Sequence, residues 1–255
     1  MGRVLAIVSQ KGGVGKTTTA VNLAAAFARR GLRTLLVDTD PQGAVRYGVG
    51  LRRSEAPAGL SDYLEGSRGL RELILPTALP SLRVLLVGGV SHRPAHAEFH
   101  HRIESSTLLA DLLTLAKERC DIVVVDTPPG LGVITRQVLK ASQHAIVPLQ
   151  CEPLALQTTP QILRAISDVA ERNPELTLDG ILLTMYDDAG GGSARVAEYV
   201  RAHLPHDMVF AQVVPRSAAA VDAFAAGQPL VLRDPADPAA QAYVNLATLL
   251  CERFN

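Results

Sequence analysis

The 255-residue sequence has little of several residue types that mark common protein classes. Its three cysteines, Cys120, Cys151 and Cys251, lie far apart and form neither a CxxC pair nor a zinc-binding spacing. No apolar run reaches the roughly 18 residues that span a bilayer, and the start of the chain lacks a signal-peptide layout. Tryptophan is absent and aromatic residues make up 4% of the chain, which disfavours stacking on nucleic-acid bases. These absences exclude a disulfide scaffold, predict no membrane association, and indicate a soluble protein of the cytoplasm.

The chain also has no net charge, because 25 basic residues balance 25 acidic ones. The charges are nevertheless unevenly distributed: residues 1–53 carry a net charge of +7, and residues 121–255 a net charge of −6. The basic residues are nearly all arginine, and two of the four lysines, Lys11 and Lys16, lie in one glycine-rich segment. This use of lysine indicates that a compact ammonium group is needed there.

Short apolar segments that alternate with helical patterns predict the fold class. The apolar segments are continuous rather than alternating, as in strands buried on both faces of a parallel sheet. They cover residues 4–8, 34–37, 82–87, 122–125, 145–149, 180–184 and 208–214. Helical patterns cover residues 17–30, 105–119, 133–141, 158–172, 193–203 and 238–253. We therefore predict an α/β fold, a doubly wound, mostly parallel sheet with helices on both faces, in one domain over residues 1–255.

Two less regular segments interrupt this pattern. Residues 50–81 are rich in proline, glycine and serine, with two short helix candidates at 61–64 and 69–75, and residues 88–102 are polar and rich in histidine. We expect both to be surface excursions. The second contains His92, His96, His100 and His101, of which the first three are spaced to align on a helix, but Pro94 lies within the run. The histidines are therefore interpreted as part of a polar loop rather than as a metal site.

Residues 9–18 (SQKGGVGKTT) carry the strongest functional signal. They follow a predicted strand and open a predicted helix, the context in which a glycine-rich loop wraps its N–H groups around phosphate. Lys16 would reach the β- and γ-phosphates, and the Thr17 hydroxyl would bind Mg²⁺. The expected nucleotide-binding residues of this loop are Lys11, Gly12, Gly13, Val14, Gly15, Lys16, Thr17 and Thr18.

The loop departs from the common GxxxxGK[ST] pattern at its start. Position 10, where that pattern has glycine, is Gln10, and the next residue is the additional lysine, Lys11. A tight turn without a ligand would need neither Lys11 nor Lys16. We therefore interpret the segment as a phosphate-binding loop.

Two aspartates follow predicted strands, at the edge where open α/β sheets collect their ligands. Asp126 closes the strand at 122–125 and is expected to hold Mg²⁺. Asp40 lies just beyond the strand at 34–37 and is expected to polarise the attacking water and to contribute to the metal site. The expected metal site therefore consists of Thr17, Asp40 and Asp126.

These motifs together resemble the deviant-Walker P-loop ATPases, and specifically the small ParA/Soj-like partition proteins. The resemblance rests on residues 11–18, 38–43 and 126–130, and it continues through GILLTMYD at 180–187 and VPR at 214–216. It implies a Mg-ATP-dependent homodimer with two nucleotides at its interface. Lys11 would then reach the partner's phosphates, and Lys11, Lys16 and Asp40 would be the catalytic residues. Met185, Pro215 and Ser217 would surround the adenine.

The same resemblance implies a ParB-like centromere-binding partner and non-specific DNA, with the protein associated with the nucleoid. Two other kinds of protein on this scaffold fit less well. Iron–sulfur proteins need cysteines placed for a cluster, which this sequence lacks, and membrane-anchored members need a more basic C-terminal helix than the one predicted here. The segments that follow MYD and VPR also lack the basic residues that we would expect for DNA. The remaining candidates are Arg195, Arg201, Arg216 and Arg233, and an N-terminal group of Arg29, Arg30, Arg33, Arg46, Arg52 and Arg53. The alternative is a ParA-like ATPase that positions a protein cargo with weak or no DNA binding.

Overall fold

The computed structural model contains one eight-stranded sheet and describes residues 2–51, 58–90, 93–153, 155–187, 189 and 191–254. The strands are β1 (Arg3–Ile7), β2 (Thr34–Asp38), β3 (Ile74–Pro76), β4 (Leu82–Leu85), β5 (Ile122–Asp126), β6 (His144–Gln150), β7 (Thr177–Tyr186) and β8 (Val209–Pro215).

Helices connect the strands. They are α1 (Lys16–Arg29), α2 (Val45–Gly48), α3 (Leu60–Leu64), α4 (Leu70–Leu73), α5 (Arg93–Ser105), α6 (Leu108–Arg119), α7 (Val133–Lys140), α8 (Ala155–Ala170), α9 (Gly192–His203), α10 (Ala218–Ala226), α11 (Leu230–Arg233) and α12 (Pro238–Phe254). A short 3₁₀ turn at His206–Met208 precedes β8.

The strand order across the sheet is β3-β4-β2-β5-β1-β6-β7-β8, and only the β3–β4 pair is antiparallel. β1 lies between β5 and β6, while β2 pairs with the other side of β5. The carboxyl ends of β1, β2 and β5 therefore meet at one edge of the sheet. Open α/β sheets bind their ligands at this edge, near the point where the strand order reverses. The predicted fold class, a doubly wound and mostly parallel sheet, is confirmed.

Alternating side chains of the sheet build a hydrophobic core on each face. In β1, Val4 and Ala6 pack with the helices of one face, while Leu5 and Ile7 pack with α1 and α12 on the other. All four side chains are fully buried. Burial on both faces explains why the strands are continuous apolar runs in the sequence.

The prediction of a polar loop at residues 88–102 is wrong, because most of this segment belongs to α5. Pro94 is the second residue of α5, in the first turn, where a missing backbone N–H removes no intrahelical hydrogen bond. Phe99 and Ile103, four residues apart, are buried in the core and were the overlooked helical signal. His92 lies outside the described residues. In the described part of the chain no group of three or more His, Cys, Asp or Glu side chains could hold a metal ion.

Residues 50–81 are also more than a surface excursion. The two predicted short helices are present as α3 and α4, and their side chains Leu60, Leu64 and Leu73 are buried.

The edge strand β3 was missed because it is only three residues long and ends at a proline. α10 was also missed, although both of its ends carry a signal. At its start Ser217 Oγ accepts a hydrogen bond from the Ala220 N–H at 3.1 Å, and at its end Gly227 has a φ of 72°. Among the described helices, none has the length and apolar character required to cross a membrane.

Candidate functional site

The loop between β1 and α1 is shaped to surround an anion. Gly13 and Gly15 have φ angles of 77° and 87°, a left-handed conformation that glycine adopts without strain. Gly15 is the N-cap of α1, so the free N–H groups of the first helical turn face the loop. Loop and helix together provide the backbone donors and the positive helix end that bind phosphate.

Lys16 extends across this loop and is buried. Its Nζ donates a hydrogen bond to Ser9 Oγ at 3.0 Å and lies 3.5 Å from the Lys11 carbonyl oxygen. Burial lowers the pKa of Lys16, and the nearby carboxylates of Asp126 and Asp40 oppose that shift. The ammonium group thus stands between the loop and two acidic side chains, where phosphate oxygens would replace its present hydroxyl partner.

Thr17 and Asp126 form the adjacent part of the site. Thr17 Oγ1 donates a hydrogen bond to Asp126 Oδ2 at 2.7 Å, and Asp126 is fully buried at the end of β5. Asp126 Oδ1 is buried with no hydrogen-bond partner among the described residues. Burial raises the pKa of Asp126 to about 7. A carboxylate oxygen without a partner, beside a threonine hydroxyl, is a donor set that suits a hard divalent cation.

Asp38 and Asp40 follow in the segment after β2. Asp40 is largely buried, its Oδ1 accepts a hydrogen bond from the Gln42 N–H at 2.9 Å, and burial raises its pKa. Asp38, for which the sequence predicted no role, is fully buried and lies beside Asp126 in the sheet register. Asp38 Oδ1 accepts from the Asp40 N–H at 3.0 Å, and Oδ2 accepts from the Val45 N–H at 3.3 Å. Asp38 therefore holds both ends of the loop that carries Asp40.

Lys11 lies at the rim of the loop and forms an ion pair with Glu152, just beyond β6. The two side chains are 40% and 28% exposed. Glu152 was not among the predicted site residues, although its place after an apolar strand at the same edge of the sheet was an available signal. Lys11, which the family resemblance implies would act on a second subunit, is thus held within its own chain.

A cavity of about 400 Å³ continues from the phosphate-binding loop. Gly15 and Thr18 line its near side, and Met185, Pro215 and Ser217 line its far side. Met185 has a φ of 51°, the one positive value at a residue other than glycine in the part of the chain that the structure describes. The three residues expected around the adenine therefore share one cavity beside the loop, with α10 as a further wall.

Two of the N-terminal arginines considered for DNA contact are engaged within the chain. Arg29 donates to the Val231 carbonyl oxygen at 2.6 Å, and Arg33 pairs with Asp121 at 2.6 Å. Arg29 ends α1, where a cation offsets the negative end of the helix dipole. Arg52 and Arg53 lie outside the described residues.

Comparisons with known proteins agree with this geometry. Residues 2–178 match the family described as an AAA domain. The chain is 36% identical to the sporulation initiation inhibitor protein Soj of Bacillus subtilis over 97% of both chains. It is 39% identical to the chromosome partitioning protein ParA of Caulobacter vibrioides, over 98% of this chain and 94% of that protein. It also resembles the structure of cobyrinic acid a,c-diamide synthase from Mycobacterium smegmatis with bound ADP and magnesium, at 31% identity and a TM-score of 0.82, over 100% and 96% of the two chains.

Proposed function

The chain belongs to the ParA/Soj family of chromosome-partitioning ATPases, and we propose that it is a switch in which ATP binding closes a homodimer and hydrolysis reopens it. The observation that carries this proposal is the buried group of Lys16, Asp126 and Asp40 beside a loop that also presents Lys11 at its rim. ATP-dependent doubling of the molecular mass tests it.

The residues present fit a magnesium ion. Thr17 and Asp126 would hold it, with Asp40 close by, because the unpaired Asp126 Oδ1 and the Thr17 hydroxyl are the oxygen ligands that Mg²⁺ prefers. When bound, Mg²⁺ would neutralise charge on the β- and γ-phosphate oxygens.

The side chains of this site then have separate tasks in hydrolysis. Asp40 orients a water whose oxygen bonds to the γ-phosphorus while the bond to the bridging oxygen of ADP breaks, releasing phosphate. Lys16 stabilises the charge that accumulates on the phosphate oxygens, and its burial strengthens that interaction. Met185, Pro215 and Ser217 hold the adenine. Intrinsic hydrolysis by P-loop enzymes can be slow until a partner protein stimulates it, and we expect a ParB-like partner to raise turnover here.

Lys11 would complete the site of the opposite subunit, as an arginine finger does. In the single chain it is bound to Glu152, so closing the dimer requires Lys11 to leave that partner. Both side chains are partly exposed, and solvent screening limits such a pair to about 0.2–1 kcal/mol. The Lys11–Glu152 pair therefore weakly opposes dimerisation.

Replacing Glu152 by glutamine should tighten the ATP-dependent dimer by up to about 30-fold, because closing a homodimer breaks two such pairs at up to about 1 kcal/mol each. The substitution keeps the shape of the side chain and removes the charge that retains Lys11. Sedimentation with a slowly hydrolysed ATP analogue measures the dimer dissociation constant, and Glu171→Gln, at an exposed site, is the matched control. A dimer of unchanged or lower stability in Glu152→Gln would show that the pair does not oppose dimerisation.

We further propose that the ATP-bound dimer binds non-specific DNA and associates with the nucleoid. Basic residues distributed over several surfaces, among them Arg195, Arg201, Arg216 and Arg233, would supply the phosphate contacts in place of one cluster. The second candidate function is the positioning of a protein cargo without DNA. The acidic residues 121–255, with a net charge of −6, favour it.

DNA binding by the Asp40→Ala protein, which should remain ATP-bound, separates these two functions. With about six phosphate contacts, affinity should fall by about 10³-fold between about 50 and about 200 mM salt. Binding should require ATP and Mg²⁺ and be absent with ADP. If a demonstrated ATP dimer does not bind DNA, the protein-cargo function replaces DNA partition.

A further inference from the structure

The loop that carries Asp40 is attached directly to α2. Asp38 accepts hydrogen bonds from the N–H groups of Asp40 and of Val45, the first residue of α2. The six-residue segment 40–45 is thus held at both ends by one buried carboxyl group. Asp40 and the start of α2 therefore share one buried anchor.

α2 in turn packs against α10 without space between them. A Cβ atom at Gly48 would lie 2.8 Å from Phe224 Cε2 and 3.2 Å from Val21 Cγ2, a side chain of α1. Two residues later, a Cβ at Gly50 would lie 2.7 Å from the carbonyl oxygen of Gly227, at the end of α10. Cβ atoms essentially never lie under 3 Å from a neighbour, so a side chain at either glycine would force Phe224 or the end of α10 to shift.

Phe224 also lines the cavity on its other side. It shares that cavity with Met185, Pro215 and Ser217, next to Gly15 of the phosphate-binding loop. The same aromatic ring therefore touches the proposed base site and the helix that follows Asp40.

We propose that Phe224 and Gly48 are positioning residues that make hydrolysis depend on the base: a purine in the cavity fixes the Phe224 ring, which sets α2 and thereby Asp40. This inference rests on the proposed function, since it assumes that the cavity holds the base and that Asp40 acts on water. It goes beyond that function because it assigns a role in turnover to residues that contact neither the phosphates nor the water.

Steady-state hydrolysis of ATP and UTP by the full-length protein tests this coupling. The smaller uracil should leave Phe224 unfixed, so the wild-type kcat for UTP should be about 10- to 100-fold below that for ATP, the loss that a misplaced catalytic group produces. Phe224→Ala should lower the kcat for ATP to about the value for UTP and leave the kcat for UTP unchanged. Gly48→Ala, which reaches the same contact from outside the cavity, should lower the kcat for ATP without raising KM.

Val221→Ala is the matched control, because Val221 lies on α10 and lines the cavity but is 69% exposed. It should change KM and leave the ratio of the two kcat values intact, and melting temperatures should show that each variant is folded. The proposal is overturned if the wild-type kcat values for ATP and UTP are equal, or if Phe224→Ala raises KM while keeping their ratio. A wild-type rate in Asp40→Ala would instead overturn both the proposed function and this inference.

Discussion

Lys16→Ala is expected to abolish ATP binding at micromolar nucleotide. The Lys16 ammonium group is buried and faces the loop that would hold the phosphates. Its loss leaves the negative charge of the phosphates unpaired in a site with little water. Removing one partner of a buried charge pair costs about 3–5 kcal/mol, which corresponds to an increase in Kd of about 10²-fold to about 4,000-fold. Calorimetric titration with ATP and Mg²⁺ measures this change.

Lys11→Ala is the matched control for this substitution, because Lys11 lies in the same loop but is 40% exposed and pairs with Glu152. It should retain ATP affinity and lose the ATP-dependent dimer. Wild-type ATP affinity in Lys16→Ala would remove the assignment of the phosphate-binding loop.

Asp40→Ala is expected to stop hydrolysis while leaving ATP bound. A positioned acid or base contributes about 10²- to 10⁴-fold to a rate, so turnover should fall within that range. Affinity for ATP should stay within about threefold of the wild-type value, because Lys16 and the loop supply most of the phosphate contacts. Single-turnover release of phosphate, compared with equilibrium ATP binding, separates the two effects.

Asp40→Asn is a second test at this position, since the amide keeps the size of the side chain and can still accept the hydrogen bond from the Gln42 N–H. It should be as inactive as Asp40→Ala if the carboxylate itself orients the water. Normal turnover in either variant would assign the hydrolytic role to another group, with the neighbouring Asp38 as the first to examine.

The phosphate-binding loop and the strand that ends at Asp126 could be predicted from the sequence because their signals are contiguous. Glycines, lysines and the preceding apolar strand lie within a few residues of one another, and a parallel sheet brings the carboxyl ends of its strands to one edge. Asp38 carried a weaker signal of the same kind, but its hydrogen bonds to the Asp40 and Val45 N–H groups depend on the shape of the loop. The sequence alone does not specify that shape.

Other features depend on contacts between residues that are distant along the chain. Glu152 lies 141 residues from Lys11, and only the packing of β6 beside β1 brings them together. Met185, Pro215 and Ser217 were expected at the base through the family resemblance and not through any local pattern. α5 was missed because its polar composition conceals the two side chains, Phe99 and Ile103, that anchor it to the core.

ATP-dependent closure of two subunits is the central step of the proposed switch, and the mass of the Asp40→Ala protein in solution measures that closure most directly. Sedimentation in Mg-ATP should give about twice the 27.1 kDa of one chain, and sedimentation in Mg-ADP should give the single chain. Adding Lys11→Ala should return the ATP-bound protein to the mass of one chain. A protein that binds ATP and keeps the same mass in both nucleotides would contradict the switch.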